Sequence, residues 1–393
     1  MNRNTDFIPF SKPSTGIEEE NAAVRVIRSG WLTSGIEVKE FEKEFASYVG
    51  SKHALTVNSA TAGLHLALEA LGISRGDKVA TTPYTFTATS EVIRYLGADP
   101  IFVDIERDSW NIDPELLEKA IIEYNGQIKA ILPVHMGGQH CRMDEICAIA
   151  EKYNVKIIED AAHSFPVKTE RGFSGTIGDA GVYSFYANKT ITTGEGGMIV
   201  TDSDEIARRV SIMRLHGIDR DAWNRYTSSA GSWKYAVVAA GFKYNMTDIA
   251  AAIGREQLKK AMDFLNARKE IARKYHNGMK HFDFIKIPEY KRDHSWHLYI
   301  IRLAEEKLSI DRDSFIEELK IEGIGTSVHY IPLHMMPYYK ELYSFKETDF
   351  PETLQKYRES ISIPIFPGMT EFQVERVISS IKKIGEKYYR YNV

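Results

Sequence analysis

The chain is poor in the features that narrow function quickly. Among its 393 residues are only two cysteines, Cys141 and Cys147. Six apart in one expected helix, they match neither a metal-ligand spacing nor a disulfide, and they suit a reducing cytoplasm. No run of about 18 apolar residues occurs, so no membrane-spanning helix is expected. The stretch from Met1 to Phe10 lacks the apolar core of a secretory leader. Neither sign of charge dominates: 50 Lys and Arg against 54 Asp and Glu leave a net charge of −4. That removes the electrostatic case for nucleic acid or an anionic membrane as partner. Repeats and low-complexity tracts are missing. No Gly-x-Gly-x-x-Gly follows the first apolar strand, which argues against a nicotinamide dinucleotide.

What is present is an ordinary globular composition, 43% hydrophobic and 26% charged. The length allows one large and one smaller domain, expected at residues 1–255 and 256–393. Helices are expected at 18–29 and 37–48. Apolar runs at 54–57, 78–82, 100–103, 128–134, 156–160, 181–185 and 198–201 then read as strands. Helical patterns fall between them at 85–97, from Asp113-Pro114, and at 143–153, with another at 204–215. This rhythm predicts an α/β fold with a mainly parallel sheet covered by helices on both faces. Residues 216–240, with Trp223, Tyr226, Trp233 and Tyr235, read as a long irregular loop. One helix is expected from Thr247 or Asp248 to about Gly278. An α+β region follows, with a strand near 296–303, a helix near 311–322, an irregular stretch at 329–343 and a last helix near 370–388.

Chemistry concentrates around Gly181–Val200, where Lys189 sits in a Thr/Gly loop between two strands. A lysine there is costly unless its charge is paired or lost. Burial favours the neutral amine, which attacks carbonyls to form Schiff bases. Taken alone, Lys189 reads more simply as a snorkelling surface residue. Other residues change that. Asp160 ends an apolar strand and needs a partner, such as a protonated pyridine nitrogen. Phe86 follows a strand and can stack on a flat ring. Ser59, Ala60 and Thr61 form a strand-to-helix turn that, with Ser184, offers N–H and hydroxyl groups to a phosphate. Taken alone, the same turn reads more simply as a plain helix N-cap. His163, three residues past Asp160, is within reach of a ring substituent. Together they describe a site for pyridoxal 5'-phosphate.

Several motifs carry a resemblance to a known family. They are Ser29-Gly-Trp-Leu-Thr-Ser-Gly35, Asn58-Ser-Ala-Thr-Ala-Gly-Leu-His65, Tyr84-Thr-Phe-Thr-Ala-Thr89, Glu159-Asp-Ala-Ala-His163, Gly178-Asp179, Ser184-Phe185, Asn188-Lys-Thr-Ile-Thr-Thr-Gly-Glu-Gly-Gly197 and Gly241-Phe-Lys-Tyr-Asn-Met246. Over nearly its whole length the chain resembles the DegT/StrS sugar aminotransferases, pyridoxal phosphate enzymes of the aspartate-aminotransferase-like fold type I. The resemblance implies a mainly parallel seven-stranded sheet sandwiched by helices, with a smaller C-terminal α+β domain. It implies Lys189 as the Schiff-base lysine, Asp160 as partner of the pyridine nitrogen and Phe86 as the stacking ring. His163 becomes the neighbour of the phenolic oxygen, and Ala60, Thr61 and Ser184 the phosphate ligands. A homodimer with shared active sites is implied, the second subunit reaching the phosphate through Lys243 or Asn245. Near the substrate the resemblance implies His329, with His334 as the other choice.

The amino donor implied is glutamate, released as 2-oxoglutarate, and the acceptor a nucleotide-linked keto sugar. Members with a loop like Gly30-Trp-Leu-Thr-Ser-Gly35 tend to aminate the 4-position, which brings in Trp31, Thr33 and Ser34 as substrate residues. A UDP-linked 4-keto-6-deoxy hexose or a 4-keto pentose is expected, with a 3-keto sugar as the alternative. Rival readings are a dehydratase, which in relatives replaces the lysine by histidine, and a non-catalytic regulator. A metal hydrolase on His135, His140 and Asp144 fits no common zinc spacing.

Overall fold

A computed structural model describes residues 7–219, 235–291 and 293–390. Trp223, Tyr226 and Trp233 lie outside the described residues. Two helices, α1 (Ile17–Ser29) and α2 (Ile36–Val49), precede the sheet. Gly30 and Gly50 end them in the left-handed conformation, at φ 75° and 74°. Next come β1 (His53–Val57), α3 (Ala60–Ala70), β2 (Lys78–Thr81), α4 (Ala88–Tyr95), β3 (Asp99–Phe102) and α5 (Pro114–Glu123). Asp113 caps α5 and Pro114 opens it, as expected. The chain continues through β4 (Ile128–Ile131), α6 (Met143–Tyr153), β5 (Lys156–Asp160) and a small hairpin, β6 (Lys168–Thr169) and β7 (Gly172–Phe173). It then forms β8 (Ala180–Ser184), β9 (Gly197–Thr201) and α7 (Asp204–Met213). Cys141 precedes α6 instead of sharing it with Cys147, and both thiols are free.

The seven strands run in the order β1-β9-β8-β5-β4-β2-β3. Neighbours from β8 to β3 pair in parallel, while β9 is antiparallel to both β8 and β1. The sheet is therefore mainly parallel, and β5 is its central strand. Side chains alternate between two cores, as the two-residue period of a strand requires. Ile158, Val182 and Ile199 pack with α3 and α7 on one face. On the other, Tyr183, Met198 and Val200 pack with Phe41 and Phe45 of α2, and Ile131 and Ile157 with α5 and α6.

The expected long helix is two, α8 (Asp248–Lys259) and α9 (Ala261–Met279), broken at Lys260. The halves serve different neighbours: α8 packs on α1 and α2, whereas from Ile271 onward α9 packs into a separate core built by the C-terminal part of the chain. At the break, Lys260 Nζ holds Glu18 and Glu19 of α1 at 3.0 and 2.9 Å. Thr247 caps α8, its Oγ1 accepting from Ala250 N. Asp248 does something else. Its carboxylate accepts from the amides of Gly35 (2.7 Å), Glu37 (3.3 Å) and Val38 (3.1 Å), capping α2 from a distance.

The rest is a three-stranded antiparallel sheet, β10 (Ile285–Lys286), β11 (Tyr299–Leu303) and β12 (Ser360–Ile363). It packs with α9, α10 (Arg312–Ile321) and, after α11 (Pro337–Tyr343) and α12 (Pro351–Glu359), α13 (Glu371–Lys387). The stretch read as irregular at 329–343 thus contains a helix opened by Pro337. Ile8 joins this core, and its backbone bonds Gly323 and Gly325 at 2.9 and 2.8 Å. Among the described residues, no helix is long and apolar enough to cross a membrane.

The centre of the sheet is tightly built. A Cβ on Gly181 of β8 would run into the backbone of Gly175. Gly181→Ala is expected to cost about 1–3 kcal/mol, read as a lower urea midpoint with an unchanged slope. An unaltered midpoint would show that this crossing has room.

Candidate active site

The carboxyl ends of β1, β2, β5 and β8 open onto a cavity of about 510 Å³. Nine residues singled out from the sequence line it: Ser59, Ala60, Thr61, Phe86, Asp160, His163, Ser184, Lys189 and His329. Thr89, Tyr186, Asn188, Glu195 and Tyr330 line it too, without having been singled out. Thr89, Asn188 and Glu195 fall inside the family motifs, which was the available signal. Tyr330 had only its place beside His329.

The turn after β1 is both things it was read as. Ser59 caps α3, its Oγ accepting from Ala62 N at 3.1 Å. The first-turn amides of Ala60 and Thr61 have no intrahelical acceptor, and with the helix dipole they favour an anion. Gly197 of β9 permits this placement, because a Cβ there would lie 2.7 Å from Ala60 N. At the end of β8, Ser184 Oγ accepts from Tyr186 N at 3.3 Å.

Two acids end β5 and point opposite ways. Glu159 accepts from His135 Nε2 at 2.9 Å and from the amides of Gly175, Ile177 and Gly178 at 2.6–2.8 Å. Burial pushes its pKa up, but His135 and these amides outweigh that and hold it below the usual range. Asp160 faces the cavity. Its Oδ2 accepts from Thr89 Oγ1 at 2.9 Å and its Oδ1 from Ala162 N at 3.1 Å. Since Thr89 gives its proton to Asp160, Thr85 Oγ1, 2.7 Å away, donates to Thr89. Here burial prevails, and the carboxyl is raised above its ordinary value. It is a group waiting for a proton-bearing partner.

Lys189 follows a turn in which its amide donates to Tyr186 O at 2.9 Å. Removal from water pulls its pKa down to about 8, against the opposing attraction of Asp160. His163 has both nitrogens engaged: Nδ1 accepts from Gly137 N (3.3 Å) and Nε2 lies 3.1 Å from Tyr330 Oη. Phe86 leaves 55% of its surface exposed. Asn188 Oδ1 is buried without a partner among the described residues. An anion cradle, an uncovered flat ring, a buried carboxyl, an amine near neutrality and an orphaned amide oxygen fit a planar phosphorylated pyridine aldehyde.

Other residues singled out lie elsewhere. Trp31 Nε1 donates to Ser34 O (3.2 Å), Ser34 Oγ to Met246 O (2.6 Å) and Asn245 Nδ2 to Ser34 Oγ (2.8 Å). Lys243 Nζ bonds Asn245 Oδ1, and Thr33 is exposed. Ser34 and Asn245 line a second hollow of about 290 Å³. His334 reaches neither cavity. It is fully buried, with Nε2 on the Glu347 carbonyl (3.1 Å) and its ring 4.8 Å from that of Phe350. The metal alternative finds no support in geometry: His140 bonds Ser174, Asp144 pairs with Arg171, and no metal-binding group occurs among the described residues.

A family model described as DegT/DnrJ/EryC1/StrS aminotransferase matches residues 13–382. The chain belongs to this family. The aminotransferase is 48% identical over 380 residues to uncharacterized protein MJ1066 of Methanocaldococcus jannaschii, spanning 96% of this chain and 97% of that protein. It is 43% identical over 387 residues to the spore coat polysaccharide biosynthesis protein SpsC of Bacillus subtilis, spanning 98% of each. Among solved structures it is similar to Spr1654 from Streptococcus pneumoniae, described as a sugar aminotransferase. The PMP form of that protein gives a TM-score of 0.90 at 33% identity, with 97% of this chain and 99% of that chain covered. Its PLP form gives 0.89 at 32%. The protein is thus a pyridoxal-phosphate-dependent sugar aminotransferase of fold type I.

The lowered pKa of Lys189 has a pH signature. In cofactor-free aminotransferase, aldehyde modification of Lys189 should rise with pH through about 8, where the amine becomes neutral. Asp160→Asn removes a group that favours the ammonium and should move the midpoint lower. Modification followed by peptide mass spectrometry checks this; a midpoint near the ordinary lysine value of about 10.4 would contradict the assigned burial.

Proposed function

We propose that this aminotransferase moves the amino group of glutamate to the 4-keto carbon of a nucleotide-linked sugar. A UDP-linked 4-keto-6-deoxy hexose is the first choice and a 4-keto pentose the next. The observation that carries the reading is the convergence of Lys189, Asp160, Phe86 and the α3 turn on one cavity. Bound pyridoxal phosphate supplies an aldehyde that accepts the amine from one substrate and gives it to the next, with a ring that draws electrons.

The chain's own residues supply the rest. The amides of Ala60 and Thr61, with Ser59 and Ser184, bind the phosphate. Phe86 would stack on one face of the ring. The buried carboxyl of Asp160 would hold a proton against the ring nitrogen and so keep the ring electron-poor. Lys189 would hold the cofactor through its amine, and the same amine, once free, would take and return the proton that moves in each half-reaction. The donor product leaves before the acceptor enters, which is ping-pong behaviour. His329 lies on the wall where the sugar would enter.

The separation of Trp31, Thr33, Ser34, Lys243 and Asn245 from this cavity supports a homodimer, in which the second copy brings that set to the first copy's site. The exposed Leu32, Ile36, Phe86 and Tyr186 favour such a cover. We assign the large cofactor-binding domain to 1–255, the small domain to 256–393, and the setting to the cytoplasm.

Two experiments test this. The loaded enzyme is incubated with glutamate and a panel of nucleotide keto sugars, and the product identified by mass and NMR; a 4-amino sugar is expected, and a 3-amino product would correct the position. Lys189→Ala should abolish turnover. Mixed with a Lys243→Ala/Asn245→Ala variant, it should regain activity if sites are shared between subunits. Comparable turnover by Lys189→Ala alone would sink the assignment.

A further inference from the structure

Tyr330 lines the cavity, and its hydroxyl has a proton to give. Its partner His163 is locked in one tautomer. Nδ1 accepts from the amide of Gly137 at 3.3 Å, so it carries no proton of its own. Burial holds the imidazole well below its ordinary pKa and therefore neutral. Its single proton is then on Nε2, 3.1 Å from Tyr330 Oη. The imidazole donates and the phenol oxygen accepts. The phenol proton is not spent on His163, and among the described residues no other hydrogen bond takes it. His297 packs its ring 4.4 Å from that of His163, tilted by 41°. Tyr330 in turn lies 5.7 Å from the Phe86 ring, beside the platform for the cofactor.

We infer that Tyr330 Oη, oriented by His163, donates a hydrogen bond to an acceptor oxygen bound beside Phe86. That oxygen is either the phenolic oxygen of the cofactor or a carbonyl or hydroxyl oxygen of the sugar. The inference rests on the cavity being the cofactor site. It moves to Tyr330 the contact that the family resemblance assigns to His163. His163 becomes a positioning residue, because neither of its nitrogens is left over. The phenol oxygen gains from this arrangement: accepting a bond from Nε2 polarises its own O–H outward. Around it stand the titratable groups His163, His297, His329, Lys189, Asp160 and Tyr84.

The test uses Tyr330→Phe, which keeps the ring and removes the hydroxyl, in the cofactor-loaded protein. If the acceptor is the phenolic oxygen, losing a donor disfavours its charge-rich form. The midpoint of the cofactor's absorbance titration should then rise by about one pH unit, a tenfold change. If the acceptor is on the sugar, that titration stays put, and KM for the keto sugar rises about tenfold with the glutamate half-reaction unchanged. Either result supports the assignment and identifies the source of the oxygen. Both readouts unchanged would overturn it. Adding His163→Gln to Tyr330→Phe should move neither readout further; an additional shift would overturn the positioning role. Failure of the underlying site reading looks different, since the unmodified protein would then bind no chromophore at Lys189.

Discussion

A carboxyl group closed off from water at the end of the central strand is what the site is arranged around. Asp160 has hydrogen bonds from Thr89 and Ala162, and these do not outweigh its burial. An apolar residue there would be cheaper for the fold. The carboxyl makes sense with a cation or proton donor brought by a ligand, and a pyridine nitrogen is such a donor. The neighbouring Glu159 shows the contrast. One residue along the same strand, it is fully satisfied by His135 and three amides, and it ties down the 175–178 turn. One acid fastens the scaffold; the other faces the cavity with its burial not offset.

A low lysine pKa is not by itself a mark of function here. Burial also pulls Lys356 down to about 8. That lysine is fully buried, wedged against the carbonyls of Glu106 and Ser109 and over the Trp110 ring. Its ammonium is committed to the protein. Lys189 shares a cavity of about 510 Å³ with a carboxyl, a helix N-terminus and an uncovered aromatic ring. Surroundings, more than acidity, separate a reactive lysine from a structural one.

Much of this was legible from residue patterns. Strand ends and the strand-to-helix turn after β1 pointed to Asp160, Ser184 and Ser59 to Thr61, and the fold brings these to one cavity, because a parallel sheet opens its crevice at the carboxyl edge. The break at Lys260 was not legible, since both halves share a helical pattern and only their separate docking partners divide them. Strand β12 reads Ser-Ile-Ser-Ile, all four buried, so polar letters concealed a core strand. His329 and His334 are five residues apart on an irregular path; only the folded chain sends one to the cavity and the other against Phe350. The link between Ser34 and Asn245 spans 211 residues. No local pattern predicts such a contact, nor the tautomer of His163 that gives Tyr330 its role.

The most direct measurement of the central claim is borohydride reduction of the cofactor-loaded aminotransferase, followed by peptide mapping. The account predicts a single cofactor-bearing peptide, with the label on Lys189. A label on Lys356 or another lysine, with Lys189 unmodified, would contradict it.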